Sequence, residues 1–150
     1  HVLNLQFVDS DHEIVEAAGC SVADIFAIYG ESIFRDVEQR VLTRLVSGEP
    51  CVIATGGGAF MNPAIREAIL ERAWSVWLKA DLPVLLERVS RRDTRPLLQT
   101  GDKEQILSRL MDERYPTYAQ ADLVIDSNAG AHETVVKRII AALKEKLEHD

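Results

Sequence analysis

Four short runs of apolar, mostly β-forming residues alternate with longer segments of helical periodicity, and this alternation constrains the fold more than any other feature. The runs cover residues 5–9, 51–55, 74–80 and 121–127. Buried strands separated by helices are typical of a parallel sheet with helices on both faces. The sequence therefore predicts an α/β fold. Because no linker-like stretch interrupts the pattern, it also predicts a single domain over residues 1–150.

Capping residues locate the helices between these runs. Ser21 and Asn62 have the side chains preferred at helix N-caps, and Asp102 is expected to cap the helix that follows it. Gly19 and Gly30 stand where two helices are expected to end. These signals predict a short helix, two further helices separated at Gly30, and a chain of alternating helices and strands beyond them.

Charge and composition narrow the classes of function. The formal net charge is −7 with 47% hydrophobic residues, so nonspecific nucleic-acid binding is not expected, whereas a local arginine cluster can still bind an anionic substrate. No apolar run reaches membrane-spanning length. The two cysteines, Cys20 and Cys51, form no CxxC pair, so neither a disulfide framework nor a zinc site is expected. A soluble protein of the reducing cytoplasm is the expectation.

Two polar motifs directly follow predicted strands. Asp9 and Asp11 come after the first strand, and Gly56, Gly57 and Gly58 come after the second. Ligands bind outside the carboxyl ends of strands in parallel α/β sheets. The aspartates are consistent with a metal site, with recognition of substrate hydroxyls or with a general base, and equally with a helix cap provided by Asp11. The glycines favour close approach of a ligand over a simple turn.

Arginines supply candidate anion-binding groups. Arg35 stands three residues before Glu38 in a helical segment, which fits a solvated ion pair or an arginine held ready for a carboxylate. Arg114 is expected near a helix end, where a cation suits the helix dipole. Arg92 and Arg95 lie in or beside the polar loop 93–102, which favours a lid that closes on phosphates over a loop that only aids solubility.

The ordered set of motifs resembles the shikimate kinase family. It consists of Asp9-x-Asp11 and then the stretches SVADIFAIYGESIFRDVE, VIATGGGA, RPLL and ERYPTY. The resemblance extends from about residue 7 to the last predicted strand. It implies a fold like that of nucleoside monophosphate kinases and ATP-dependent transfer of a phosphoryl group to the 3-hydroxyl of shikimate, with ATP and Mg²⁺ as cofactors. It also implies a monomer that serves aromatic amino-acid biosynthesis through chorismate.

The resemblance assigns roles residue by residue. It implies that Asp9 belongs to the magnesium shell and that Asp11 contacts shikimate hydroxyls and is the candidate base. It implies that Arg35, oriented by Glu38, binds the shikimate carboxylate together with Arg114.

Further roles concern the shikimate ring and the nucleotide. The shikimate-binding region is expected at about residues 11–48 and the lid at about 93–102. Arg95 matches the lid arginine that meets the ATP phosphates and takes part in catalysis, and Arg92 corresponds to the arginine under adenine. The aromatic residues beside the ring and the glycines that line the site are Phe26, Phe34, Gly56, Gly57 and Gly58.

The sequence departs from the family pattern in one respect. The family begins with a strand, a G-x-x-x-x-G-K-[ST] phosphate loop and a helix, and the 150 residues contain no such loop. That strand–loop–helix unit predicts roughly 25 residues upstream, so strand 1 of the family order 2-3-1-4-5 is expected to be missing. We expect these residues alone not to bind ATP productively. We also expect them to be insoluble or molten, because an absent central strand leaves backbone groups unpaired.

Three alternative hypotheses remain beside a shikimate kinase. A related small-molecule kinase, such as a gluconate kinase, fits the fold but not the paired arginines. A noncatalytic shikimate-binding module fits the absence of the phosphate loop but leaves Arg95 and the lid without a purpose. A purely structural protein leaves the triple glycine and the arginines unexplained.

Overall fold

A computed structural model describes residues 3–92, 102–128 and 132–149, with only the backbone at 91, 92 and 149. The chain divides into two compact units, His1–Ala73 and Trp74–Asp150, and each is described by itself. A single domain stays a prediction.

The first unit places two parallel strands beside three helices. Its elements are β1 (Gln6–Asp9), α1 (Ser10–Ala18), α2 (Val22–Val46), β2 (Cys51–Ala54), a 3-10 helix (Ala59–Met61) and α3 (Pro63–Arg72). β1 pairs with β2 in a register that sets Gln6 opposite Cys51 and Asp9 opposite Ala54. The carboxyl ends of both strands therefore emerge at the same edge.

Local signals position these helices as the sequence predicts. Gly19 adopts the left-handed conformation (φ 76°) after α1, and the Ser21 hydroxyl accepts a hydrogen bond from the Asp24 amide at the start of α2. Asn62 caps α3 by accepting from two backbone amides. Gly30 (φ 87°, ψ 169°) is not helical, so the range of α2 contains two helical segments that meet at a kink, as the sequence predicts.

Helix α2 organises the core of this unit. One buried cluster joins Ile14 of α1 to Ile25, Phe34 and Val41 of α2. A second joins Leu42 of α2 to the 3-10 helix and α3, and Leu45 packs against both clusters. Because each fully buried aliphatic side chain contributes about 1.5–3 kcal/mol, these contacts hold α2 firmly against its neighbours.

The second unit repeats the strand–helix pattern. It contains β3 (Val76–Lys79), α4 (Leu82–Arg92), α5 (Lys103–Tyr118), β4 (Leu123–Asp126) and α6 (His132–His149). β3 and β4 are parallel, with Val76 opposite Leu123. The Asp102 side chain caps α5 by accepting from the Glu104 amide, as predicted.

The α/β class and the parallel pairing are confirmed. The expected family order puts its second strand beside the third and its fourth beside the fifth, and the β1–β2 and β3–β4 pairs agree with this. The missing first strand is not confirmed and stays a prediction. Among the described residues, no single helix is long and apolar enough to span a membrane. Helices α1 and α2 meet that requirement only jointly, across an 83° bend.

The prediction that the first two strands are buried is wrong in part. Phe7 of β1 is 62% exposed, and Val52, its partner in β2, is 39% exposed. Cross-strand partners point to the same face of a sheet, so the exposure lies on one face of the pair. An apolar run reports the tendency to form a strand, whereas burial depends on what covers the strand.

Candidate functional site

The candidate site of the first unit lies where β1 and β2 end. Asp9 is the last residue of β1, and the glycine segment follows β2 after Thr55. Because Asp9 is opposite Ala54 in the parallel register, the aspartate motif and the glycine segment leave the sheet side by side.

The two aspartates have different local roles. Asp9 is the N-cap of α1, and its Oδ1 accepts a hydrogen bond of 2.9 Å from the Asp11 amide. The expectation that Asp11 itself could cap the helix is therefore wrong, because Asp11 lies inside the first turn. This leaves the Asp11 carboxylate directed towards the glycines: a Cβ added to Gly56 would lie 3.2 Å from Asp11 Oδ1.

Arg35 and Glu38 form an ion pair on α2. Arg35 Nη1 donates to Glu38 Oε1 at 2.8 Å, and Arg35 Nη2 reaches the exposed Glu31 at 3.5 Å. Glu38 is 0% exposed, so the interpretation of a solvated Arg–Glu pair is wrong. The second Glu38 oxygen lies 3.5 Å from the position of a Cβ on Gly56, a position that is also 3.2 Å from Asp11 Oδ1. Burial of a charge is tolerated when it is paired, and Glu38 here holds one side of the guanidinium.

The aromatic ring of Phe34 supports the guanidinium, and a second ring packs against Phe34. Arg35 Cζ lies 5.1 Å from the centroid of the Phe34 ring, within the range of a cation–π contact. Phe34 is buried in the core and packs against Phe26 with 4.7 Å between ring centroids. The core therefore limits how far Arg35 can move on that side.

Gly58 lies directly against the guanidinium. A Cβ at this position would lie 2.6 Å from both Nη atoms of Arg35 and 2.8 Å from Cζ. The structure thus brings Asp11, Arg35 and Glu38 together around Gly56 and Gly58. A carboxylate acceptor, an arginine fork and a side-chain-free stretch of backbone can bind a small ligand that carries both hydroxyls and a carboxylate.

The remaining predicted site residues lie in the second unit or outside the described residues. Arg114 is half-buried in α5, which continues through Pro116 to Tyr118, so Arg114 lies near the end of the helix, as expected, but before its last turn. Arg92 ends α4, but its side chain lies outside the described residues. Arg95 and lid residues 93–101 also lie outside them.

A magnesium ion fits the aspartate motif on chemical grounds. Among the described residues, no cluster of three or more His, Cys, Asp or Glu side chains could hold a metal alone. Mg²⁺ commonly binds through one or two carboxylates, with waters and substrate phosphates completing its shell. Asp9 is exposed, and the cap contact engages its Oδ1, so its carboxylate suits that mode.

Three residues of interest escaped the sequence analysis. Glu31 contacts Arg35, and its spacing of four residues in the helix was an available signal. Ser10 is fully buried, and its hydroxyl has no hydrogen-bond partner among the described residues. Tyr115 donates a 2.5 Å hydrogen bond to the Ala80 carbonyl, and its burial raises the pKa of the phenol. The last two depend on packing that no local pattern reports.

The first unit also has a concavity that does not include the candidate site residues. It has a volume of about 410 Å³ between α1 and α2, and its charged lining consists of Glu13, Glu16, Arg40 and Arg44. Arg44 pairs with Glu13 at 3.2 Å. None of the predicted site residues lines it, so this concavity is separate from the candidate site.

Comparisons with known proteins show which family the chain resembles. A sequence model of the shikimate kinase family matches residues 1–144. The chain is 50% identical over 141 residues to a shikimate kinase of Paramagnetospirillum magneticum, covering 94% of this chain and 72% of the relative. It is 47% identical over 150 residues to a shikimate kinase of Brucella canis, covering 100% of this chain and 75% of the relative.

A solved structure extends the comparison to the fold. The shikimate kinase from Acinetobacter baumannii in complex with shikimate superposes with a TM-score of 0.91 at 38% identity, covering 97% of this chain and 83% of that one. The comparisons do not establish the upstream segment expected from the family pattern, which stays a prediction. A family match over nearly all of these residues, close relatives and a shared fold together show that the chain belongs to the shikimate kinase family.

Proposed function

We propose that this protein binds shikimate at the carboxyl edge of β1 and β2 and transfers to its 3-hydroxyl the terminal phosphoryl group of ATP. The observation that carries the site assignment is the buried Arg35–Glu38 pair, which holds the guanidinium against Gly58 beside the Asp11 carboxylate. These groups match a small ligand with one carboxylate and several hydroxyls.

Arg35 is the proposed carboxylate receptor. A guanidinium carries five N–H donors, and Glu38 and Glu31 engage one terminal nitrogen each, so donors remain for a second carboxylate. Phe34 lies against the guanidinium and Phe26 packs on Phe34, and both are proposed as apolar neighbours of the substrate ring. Arg114 is proposed as the second arginine on the carboxylate.

Asp11 is the proposed partner of the reacting hydroxyl. Its carboxylate faces the backbone of Gly56, where no side chain intervenes, so a substrate hydroxyl can donate to it at hydrogen-bond distance. With the proton of the 3-hydroxyl held by Asp11, the hydroxyl oxygen is oriented for attack on phosphorus. Gly57 is proposed to line the same site.

ATP and Mg²⁺ are the proposed cofactors. When bound, the ion neutralises charge on the phosphates, and Asp9 is the carboxylate we propose for its shell. Arg95 and Arg92 are proposed to contact the phosphates and the adenine, with residues 93–102 as a lid that excludes water. A monomeric state and a cytoplasmic location stay predictions.

The test is shikimate-dependent release of ADP by the purified protein. We expect Asp11→Asn to lower kcat by about 10²–10⁴-fold, the usual contribution of a general base, and Arg35→Ala chiefly to raise KM for shikimate. Arg44→Ala, which removes an exposed arginine outside the site, is the matched control and should leave both constants unchanged.

Two results would count against the proposal. Binding of shikimate in calorimetry without any turnover, by a protein that carries the phosphate loop expected from the family pattern, would favour the noncatalytic module. Equal turnover of gluconate and shikimate would contradict the substrate assignment.

A further inference from the structure

We infer that Gly58 is a positioning residue for Arg35, and that its missing side chain sets where the guanidinium meets the carboxylate of the substrate. The inference deepens the proposed function and rests on its assignment of Arg35. In this role Gly58 acts through the absence of a side chain, in addition to any contact that its backbone makes.

The geometry shows why a side chain is incompatible with this position. A Cβ on Gly58 would lie 2.6 Å from both Nη atoms of Arg35, whereas ordinary contacts begin at about 3.5 Å. The guanidinium would have to retreat by about 0.9 Å to restore that contact. Both Nη atoms lie closer than Cζ, so the terminal edge of the guanidinium faces Gly58. That edge forms paired hydrogen bonds with a carboxylate.

The neighbours of Arg35 limit the directions in which its guanidinium can move, so the retreat would leave the guanidinium away from its binding position. Glu38 Oε1 holds Nη1 at 2.8 Å, and Glu38 itself is buried and cannot follow freely. The Phe34 ring lies 5.1 Å from Cζ and prevents the guanidinium from moving towards the core. A shift of the fork by about an ångström exceeds the tolerance of about 0.5 Å of a precise site and is enough to weaken binding of the substrate carboxylate substantially.

The same geometry predicts little cost to the fold. Gly58 has φ −88° and ψ −9°, the conformation of residue i+2 in type I turns, so alanine needs no left-handed backbone here. The atoms that must move belong to the end of a long, flexible side chain that is 25% exposed, not to the backbone or the core. Gly58→Ala should therefore perturb the site while leaving stability nearly unchanged.

The sequence offers a matched control at Gly48. A Cβ at this position would meet only the Arg44 and Leu45 carbonyls at 3.6 Å, which is ordinary contact, and the position lies outside the site. Gly48→Ala therefore makes the same chemical change without touching Arg35.

The experiment compares both variants by calorimetry with shikimate and by steady-state kinetics. We expect Gly58→Ala to raise the dissociation constant and KM for shikimate at least tenfold, with kcat within about threefold, the signature of weakened binding. Gly48→Ala should match the unchanged protein in each constant. Unaltered shikimate affinity in Gly58→Ala would overturn the inference.

A double-mutant cycle shows whether Gly58 acts through Arg35. In the Arg35→Ala background there is no guanidinium to displace, so adding Gly58→Ala should change affinity less than twofold. An equal penalty in both backgrounds would mean that Gly58 acts on the substrate directly, and the positioning role would be rejected.

Failure of the proposed function can be told apart from failure of this inference. If the unchanged protein does not bind shikimate, the substrate assignment fails, yet a crystal structure of Gly58→Ala still tests the displacement. A guanidinium shifted by more than about 0.5 Å, the tolerance of a precise site, supports the inference. An unmoved guanidinium overturns it.

Discussion

Replacing Glu38 by glutamine tests how much the buried ion pair contributes to stability. The substitution keeps the shape of the side chain and one acceptor for Arg35 Nη1 but removes the negative charge, which is fully buried and 2.8 Å from its partner. Hydrogen bonds to charged groups contribute about 1.5–3 kcal/mol. Two effects reduce this figure: glutamine retains a weaker hydrogen bond, and loss of a buried charge relieves desolvation. We expect the free energy of unfolding to fall by about 1.5 kcal/mol.

The matched control is Glu31→Gln, which makes the same change on the same guanidinium. The Glu31 side chain is 57% exposed and its oxygen lies 3.5 Å from Arg35 Nη2, so solvent screens the pair. Exposed pairs of this kind contribute about 0.2–1 kcal/mol, and helical i,i+4 pairs lie at the low end of that range. We therefore expect a change below about 0.5 kcal/mol.

Urea denaturation followed by circular dichroism measures both variants, provided that the m-value stays constant. For a chain of this length, the Glu38 variant should also melt about 3–6 °C lower. Equal effects of the two substitutions would refute the reasoning that burial decides the strength of the pair. A more stable Glu38→Gln protein would show that desolvation outweighs the attraction to Arg35.

Substitutions at three further positions test packing, capping and titration. Ile14→Ala removes a fully buried side chain and should cost about 2–5 kcal/mol in urea denaturation, and a loss under 1 kcal/mol would contradict its place in the core. Asn62→Ala leaves two amides of α3 without their cap and should cost about 1 kcal/mol by the same measurement, whereas Asn62→Gly should cost only a few tenths. Burial raises the pKa of Tyr115 above its ordinary value of about 10. The neutral phenol is favoured in the folded state, so its contribution to stability is complete below about pH 10 and declines as pH rises through the raised pKa. Tyr115→Phe should be about 1 kcal/mol less stable at pH 8, and the gap should narrow above pH 10; a gap that does not change with pH would contradict this account.

Much of the fold could be predicted because its signals are local. The Ser21 and Asn62 caps, the Gly19 ending and the break at Gly30 each depend on backbone groups within a few residues. Their geometry therefore follows from residue type and spacing alone. The alternation of strands and helices similarly determined the α/β class, and the ordered motifs determined the family.

The site depended on tertiary structure wherever distant residues meet. Arg35 and Gly58 are 23 positions apart in the sequence, so no helical or strand periodicity could show that a Cβ on one would overlap the guanidinium of the other. Spacing predicted the Arg35–Glu38 pair. Only the packing of α2 decided that Glu38 is buried, and that the pair is therefore not solvated.

The exposed face of the β1–β2 pair also depended on tertiary structure. Phe7 and Val52 have the composition of buried strand residues, yet both are exposed, since composition reports a preference and burial requires a covering neighbour. The sequence by itself determined which elements form, where they begin and which family they resemble. The tertiary structure alone decided which charges are buried and which backbone atoms a side chain can approach, because those properties depend on contacts between residues far apart in the chain.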